Sequence, residues 1–219
     1  MPVLPSVLIA PVRILPLHRG RAAGAKAASV TGGNGIVIRG LGPGDSLAAL
    51  TDLLHRAYAE LGAMGFNFTA VDQSEAVTAR RIRGRECWVA FVDGRLVGTV
   101  TLSPRRPISL PPWRDGLSTA MINQLAVDPV MRGQGIGGRL LDVAEGRSRD
   151  LGFTSVSLDT AESAEHLVRL YLRRGYAAVA FHRWRGKTYR SVVLEKLFLP
   201  VPGGRGCLRP AIVRGEETA

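Results

Sequence analysis

The run Arg132-Gly133-Gln134-Gly135-Ile136-Gly137-Gly138 limits what this 219-residue chain can fold into more than any other stretch. It lies between an extended apolar segment, Gln124 to Val127, and a stretch in which Leu140, Leu141, Ala144 and Leu151 fall close to helical spacing. A strand must therefore turn abruptly into an amphipathic helix. The first N–H groups of that helix have no preceding turn to bond to, and they fall within residues 132–138. The helix dipole adds positive potential at the same place, so the turn suits a phosphate or pyrophosphate. Without Cβ atoms, the glycines let the backbone take left-handed angles and let a ligand approach the main chain closely.

Spacing narrows the choice of nucleotide. Gly133, Gly135 and Gly138 formally meet the dinucleotide pattern G-x-G-x-x-G. Yet the nearest acid for a ribose is Asp159, the sheet ahead of the turn reads as hairpins, and the P-loop lysine is missing. Arg-x-x-Gly-x-Gly fits better, met by Arg132, Gly135 and Gly137 directly after Leu125-Ala126-Val127-Asp128-Pro129. This resembles the acetyl-CoA motif of the GNAT superfamily of N-acetyltransferases. Downstream, Leu170-Tyr171-Leu172-Arg173-Arg174-Gly175-Tyr176 is similar to the family helix that ends in a Tyr close before a Gly-aromatic pair. The resemblance covers roughly residues 36 to 199.

The chain is long enough, at 46% hydrophobic, for one domain with a sizeable core plus extensions. The expected division is a disordered basic extension over 1–34, an acetyltransferase domain over 35–199 and a flexible tail over 200–219. Residues 1 to 44 hold Arg13, Arg19, Arg21, Lys26 and Arg39 and no acid, so much of the net charge of +11 sits outside the core. No basic helix with interleaved aromatics appears, and a nucleic-acid partner is not expected. Pro5, Pro11 and Pro16 interrupt the first apolar run, and no run approaches the roughly 20 residues a membrane span needs. The two cysteines, Cys87 and Cys207, argue against a metal site or a disulfide framework. The expected location is the cytoplasm, and a homodimer is compatible with the sequence.

Along the chain, Gly35 to Arg39 reads as a first strand, with Asp45 or Ser46 able to cap the helix that follows. Asp72 and Glu75 read as the capping pair of a second helix reaching about Arg85. Cys87–Val92 and Arg95–Leu102, joined by Asp93-Gly94, form a hairpin signature. Ser155 to Leu158 reads as a parallel strand, Ser163 to Arg174 as a helix burying Leu167, Leu170 and Tyr171, and Tyr176–His182 with Ser191–Phe198 as a closing hairpin. The expected fold is α/β (α+β): a mixed, mostly antiparallel sheet of six to seven strands flanked by helices.

The resemblance implies acetyl transfer from acetyl-CoA to a primary amine in a direct ternary complex. The amides from Arg132 through Gly133, Gln134, Gly135, Ile136 and Gly137 to Gly138 would hold the pyrophosphate, with the Arg132 side chain as a further contact. The pantetheine arm would lie like an extra strand beside Leu125, Ala126 and Val127, where the family has a bulge that splays two strands and frees main-chain groups, and an amide near Val127 would hold the oxyanion. A lysine-like amine has a pKa of ~10.4, so a base is needed at neutral pH. Asp159 occupies the matching position, its alternative role being a helix N-cap. Tyr171 lies where the family places its general acid, and core packing beside Leu167 is its alternative. The family frequently has Asn where this chain has Ala164, seven residues before that Tyr. A covalent relay through Cys87 is disfavoured because it comes too early in the chain. The acceptor would be read by the Gly62–Thr69 loop, with Phe66 and Phe68 for which core packing is the stronger reading, by the Ser103–Ser118 segment with Trp113, and by the Arg183–Arg190 segment. Two alternatives share these features: an enzyme of the same fold using a longer acyl-CoA, and a non-catalytic acyl-CoA sensor.

Overall fold

The computed structural model describes residues 35–104 and 118–198, together with the backbone of two short strands, β1 (Val30–Gly32) and β9 (Val213–Arg214). Between them run β2 (Ile36–Gly40), helix α1 (Leu47–Ala63), helix α2 (Glu75–Ile82), β3 (Glu86–Val92), β4 (Arg95–Ser103) and β5 (Thr119–Val127). Helix α3 (Ile136–Asp150), β6 (Ser155–Ala161), helix α4 (Glu165–Arg173), β7 (Ala177–His182) and β8 (Ser191–Leu197) complete the order. One sheet holds all the strands in the order β1-β2-β3-β4-β5-β6-β8-β7-β9. The seven strands from β2 to β8 match the expected count. The two edge strands draw backbone from segments expected to lie outside the 35–199 domain.

Pairing is antiparallel except for β5 with β6 and β7 with β9. The β5–β6 pair is parallel because α3 carries the chain back across the sheet face. Two of the sequence readings shift by a few residues. Ser46 caps α1, its Oγ accepting from the Ala49 N–H at 3.1 Å, while Asp45 receives both Arg39 nitrogens at 2.6 and 2.7 Å. Ser74, not Asp72, caps α2, and that helix stops at Ile82, short of Arg85. Its hydroxyl accepts from the Val77 N–H, a shorter route to a free amide than Asp72 offers. The β3–β4 turn takes positive φ at both Asp93 (48°) and Gly94 (75°), as the Asp-Gly pair requires.

The site is shaped by one irregularity. Thr101 pairs with Asn123 and Thr99 with Ala126, so β5 has one residue too many between them. Gln124 absorbs the excess with φ of 51°, an uncommon angle for a residue with a side chain, and the strand bends there. The parallel pairing with β6 covers only Thr119–Met121 against Ser155–Ser157. Beyond it the strands separate, and a V-shaped gap opens toward the glycine turn. Helix α3 closes onto β4 through Ile136, Leu140, Leu141 and Ala144, all buried. A Cβ on Gly98 of β4 would lie 2.9 Å from a Leu140 methyl carbon, so glycine there allows the helix its close approach.

Candidate active site

Two clefts meet at the gap between β5 and β6. The first, about 500 Å³, runs from the glycine turn along Leu125, Ala126 and Val127 to α4. The second, about 350 Å³, continues past the bulge toward the β7–β8 loop. Tyr58, Phe68, Leu125, Asp159 and Tyr171 line both and so mark the junction.

In the first cleft, Gly135 is the residue before α3, with φ of 77° and no side chain capping the helix. The Arg139 N–H is the first to bond back, to the Gly135 carbonyl at 3.1 Å, which leaves the amides of Ile136, Gly137 and Gly138 facing the cleft end. Such a cradle fits a pyrophosphate. It is held from behind by Asp128, 2% exposed, which accepts from the Val130 N–H and from Arg56 and Arg95. Burial alone would raise that carboxyl, but the Val130 amide and the two guanidinium groups hold it below the ordinary carboxylate range. The Arg132 side chain, expected as a further phosphate contact, lines this cleft and donates to Glu60 at 2.6 Å and to the Ala57 carbonyl at 2.9 Å on α1. Gln134 points outward, against the Met131 sulfur, and lines neither cleft.

The open stretch of β5 supplies the wall between. Leu125, Ala126 and Val127 all face the first cleft, and the Leu125 carbonyl accepts from the Tyr58 hydroxyl at 3.1 Å. Leu170 and His166 of α4 lie opposite. Leu170, expected in the core, is 36% exposed because it faces this cleft.

At the junction, Tyr171 is 8% exposed and no described hydrogen bond holds its hydroxyl. Burial, with Tyr58 and Asp159 nearby, pushes the phenol above its ordinary value, so it stays protonated at neutral pH. Asp159 lies within β6 and is not a helix N-cap; that position before α4 belongs to Ala164. Its Oδ2 accepts from Trp184 Nε1 at 3.0 Å and from Ser191 Oγ at 2.9 Å, which fixes the carboxylate and leaves Oδ1 without a described donor.

Of the aromatics expected at the acceptor, Phe68 lines both clefts and stacks on Tyr189 with centroids 4.6 Å apart. Phe66 lines neither and packs edge-on behind Phe68 and Tyr189, in keeping with a core role. Trp113 lies outside the described residues. Cys87 is buried in β3 with its sulfur 3.5 Å from the Thr99 hydroxyl; burial raises its thiol pKa, and it reaches neither cleft. Among the described residues no His, Cys, Asp and Glu cluster could hold a metal ion, and no helix is long and apolar enough to cross a membrane.

The model of the acetyltransferase (GNAT) family matches residues 48–176. The chain belongs to the GNAT family. It is 36% identical over 149 residues to S-(2-succino)cysteine N-acetyltransferase of Bacillus subtilis (strain 168), 67% of this chain and 87% of that protein. Aminoalkylphosphonate N-acetyltransferase of Salmonella typhimurium is 34% identical over 88 residues, 40% of this chain and 54% of that protein. Among solved structures, a GNAT family acetyltransferase from Elizabethkingia anophelis with acetyl-CoA bound superposes with a TM-score of 0.55 at 18% identity, covering 75% of this chain and 99% of that one. The ribosomal-protein-S18-alanine N-acetyltransferase from Escherichia coli superposes at 0.57 and 16% identity, over 78% and 99%. This GNAT chain is therefore an acetyltransferase.

Several residues at this GNAT site escaped the sequence reading. Tyr58 projects from α1, Arg81 from α2 and Gln124 from the bulge into the second cleft, while Trp184, Lys187 and Tyr189 reach it from the Arg183–Arg190 segment, which was expected to read the acceptor without any residue being singled out. They come from separated segments and carry no spacing rule. The one local signal was polar Gln124 interrupting an apolar strand.

Proposed function

We propose that this GNAT chain moves the acetyl group of acetyl-CoA directly onto the primary amine of a small molecule, with both substrates bound at once. Tyr171 and Asp159 carry the reading, because each lines both clefts and so faces the place where thioester and amine must meet. The amides of Ile136, Gly137 and Gly138 hold the pyrophosphate, and the open edge of β5 at Leu125, Ala126 and Val127 aligns the pantetheine arm. An amide near Val127 holds the oxyanion. Asp159 takes a proton from the acceptor ammonium at Oδ1, the freed nitrogen attacks the thioester carbon, and the carbon–sulfur bond breaks. Tyr171 gives its hydroxyl proton to the departing sulfur, and the second proton that the acylated nitrogen sheds restores the Tyr171 hydroxyl. The products are an N-acetyl amide, the free thiol of CoA and one proton released to solvent.

The acceptors named for the two relatives, S-(2-succino)cysteine and an aminoalkylphosphonate, are small amines, which supports a small-molecule acceptor here. The expected location is the cytoplasm, where such amines meet acetyl-CoA. Thermal unfolding of the full chain with acetyl-CoA, NAD or ATP tests donor choice. Donor at a hundred times its Kd should add about 2.7 kcal/mol, a rise of about 5–11 °C. Initial rates with donor and amine both varied should then give intersecting lines. No shift with acetyl-CoA would remove the donor assignment, and parallel lines would remove the ternary complex.

A further inference from the structure

We infer that the acceptor is an anionic amine: a small molecule whose carboxylate or phosphonate lies against Arg81 and Lys187 while its amino group faces Asp159 and Gln124. The inference rests on the acetyl-transfer reading of the site and names the class of its second substrate. Among the described residues lining the second cleft, the charged side chains are Arg81, Lys187 and Asp159. Arg39, Arg56, Arg132, Arg147 and Arg190 each pair with a carboxylate. Arg81 and Lys187 do not. Arg81 donates to the neutral Gln73 Oε1 at 2.6 Å, and Lys187 to the Asn67 carbonyl at 2.6 Å and the Thr69 hydroxyl at 3.1 Å.

Each cation is thus positioned by neutral acceptors, with donors left over. Gln73 is buried and gives its own amide to Thr78 at 2.7 Å, which in turn accepts from Thr51 at 2.8 Å. That network holds Arg81 in place. Keeping two like charges together in a partly desolvated cleft is unfavourable unless an anion joins them. Burial, and then Arg81, lower the Lys187 pKa against the opposing pull of Asp72 and Asp159; burial also lowers that of Arg81, against Tyr58, Asp159 and Tyr189. A planar oxyanion satisfies the guanidinium fork and the ammonium together.

Gln124 and Asp159, which line the same cleft, suit an ammonium. Gln124 is 4% exposed, and its buried Oε1 has no hydrogen-bond partner among the described residues. The bulge that gives it φ of 51° turns it into the same cleft as Asp159. One orphaned carbonyl oxygen and one carboxylate oxygen can accept two ammonium protons. Tyr58, Phe68, Tyr189 and Trp184 wall the space between, which suits a short apolar linker. A volume of about 350 Å³ admits a molecule near amino-acid size. Polyamines meet two repelling cations here.

The test measures kcat/KM of the full chain for glutamate, S-carboxymethylcysteine and 2-aminoethylphosphonate, each against a counterpart without an anion: the diamides of the two amino acids, with α- and side-chain carboxyls both amidated, and ethanolamine. Cadaverine is the cationic control. The expected result is a preference of about 10- to 100-fold for at least one acid over its counterpart, with cadaverine below both. Which acid leads tells carboxylate from phosphonate. Arg81→Gln and Lys187→Met should each collapse that ratio through KM while the acetyl-CoA thermal shift stays as in the wild type. Equal rates for acids and neutral counterparts, or cadaverine as the best acceptor, would overturn the inference and leave acetyl transfer standing. Acetyl-CoA binding without turnover of any amine would overturn the transfer reading itself, and the inference with it.

Discussion

The donor and acceptor clefts share five lining residues yet are built on different principles. The donor end is main chain: three free amides at the start of α3 and one open strand edge, all within residues 125–138. The acceptor end is side chain: Arg81, Gln124, Trp184, Lys187 and Tyr189 arrive from α2, the bulge and the β7–β8 segment. Backbone recognition needs glycines at fixed spacing and tolerates change elsewhere. Side-chain recognition needs particular groups at one point in space and no spacing at all. A donor common to many enzymes suits the first arrangement, and an acceptor that differs among them suits the second.

The largest effect is expected at the junction, which belongs to both halves. Tyr171→Phe removes the proton donor and keeps the ring, so kcat should fall about 10²-fold or more with acetyl-CoA binding unchanged. Unchanged turnover would leave Tyr171 as a packing residue and return the thiolate proton to solvent. Asp159→Asn keeps the Trp184 and Ser191 contacts available to one side-chain oxygen and removes the base. Its kcat should fall by about 10²-fold near neutral pH and recover as pH rises and more amine is neutral. A loss independent of pH would make Asp159 a positioning residue.

The pH profile also separates the halves. Burial holds the Tyr171 phenol above its ordinary pKa of ~10, so it remains protonated, and kcat should show no basic limb below about pH 10. Lys187 is shifted the other way, below its ordinary ~10.4, and loses its charge first as pH rises. KM for an acidic acceptor should therefore climb on the basic side while kcat holds. A fall of kcat between pH 8 and 10 would contradict the protonated phenol.

At the donor end, Gly135→Ala places a side chain at φ of 77° where nothing obstructs it within 4 Å, so the cost is backbone strain alone. That strain is about 1–2 kcal/mol, and relaxing it reorients the amides of α3. The Kd for acetyl-CoA should rise about 5- to 30-fold, with the preference among acceptors unaltered. A change in acceptor preference would mean that the two clefts are coupled.

The same contrast explains how much could be seen in the sequence. The Arg132–Gly138 turn, the Asp93-Gly94 hairpin and the α3 core face were legible because each is a local pattern whose physics acts over a few residues. The bulge was legible only as part of the resemblance, since nothing next to Gln124 requires the extra residue in β5; it arises from register against β4. The Arg132–Glu60 pair could not be read from the sequence because Glu60 lies 72 positions away on α1. Leu170 fitted a buried helix stripe, but the surface it faces is a cleft. Arg81 and Lys187 are two of many basic residues in a chain of net charge +11, and only their meeting in space distinguishes them.

The smallest effect should come from the clasp that holds the acceptor end together. Asn67, just after α1, donates from Nδ2 to the Gly186 carbonyl at 2.7 Å and accepts from the Thr188 N–H at 2.9 Å. Its own carbonyl receives Lys187 at 2.6 Å. The side chain therefore ties the Gly62–Thr69 loop to the β7–β8 loop that carries Lys187. Asn67→Ala keeps the backbone contact and removes three side-chain bonds, the third from the Thr188 hydroxyl to Asn67 Oδ1 at 3.1 Å, each exposed to water and worth about 0.5–1.5 kcal/mol. Lys187 then loses positional restraint but not charge, so KM for the acceptor should rise about two- to fivefold, with kcat and acetyl-CoA affinity unchanged. A larger loss shared by donor and acceptor would mean that the loop pair closes over the junction rather than over the acceptor alone, and the division between a backbone half and a side-chain half would have to move toward Phe68.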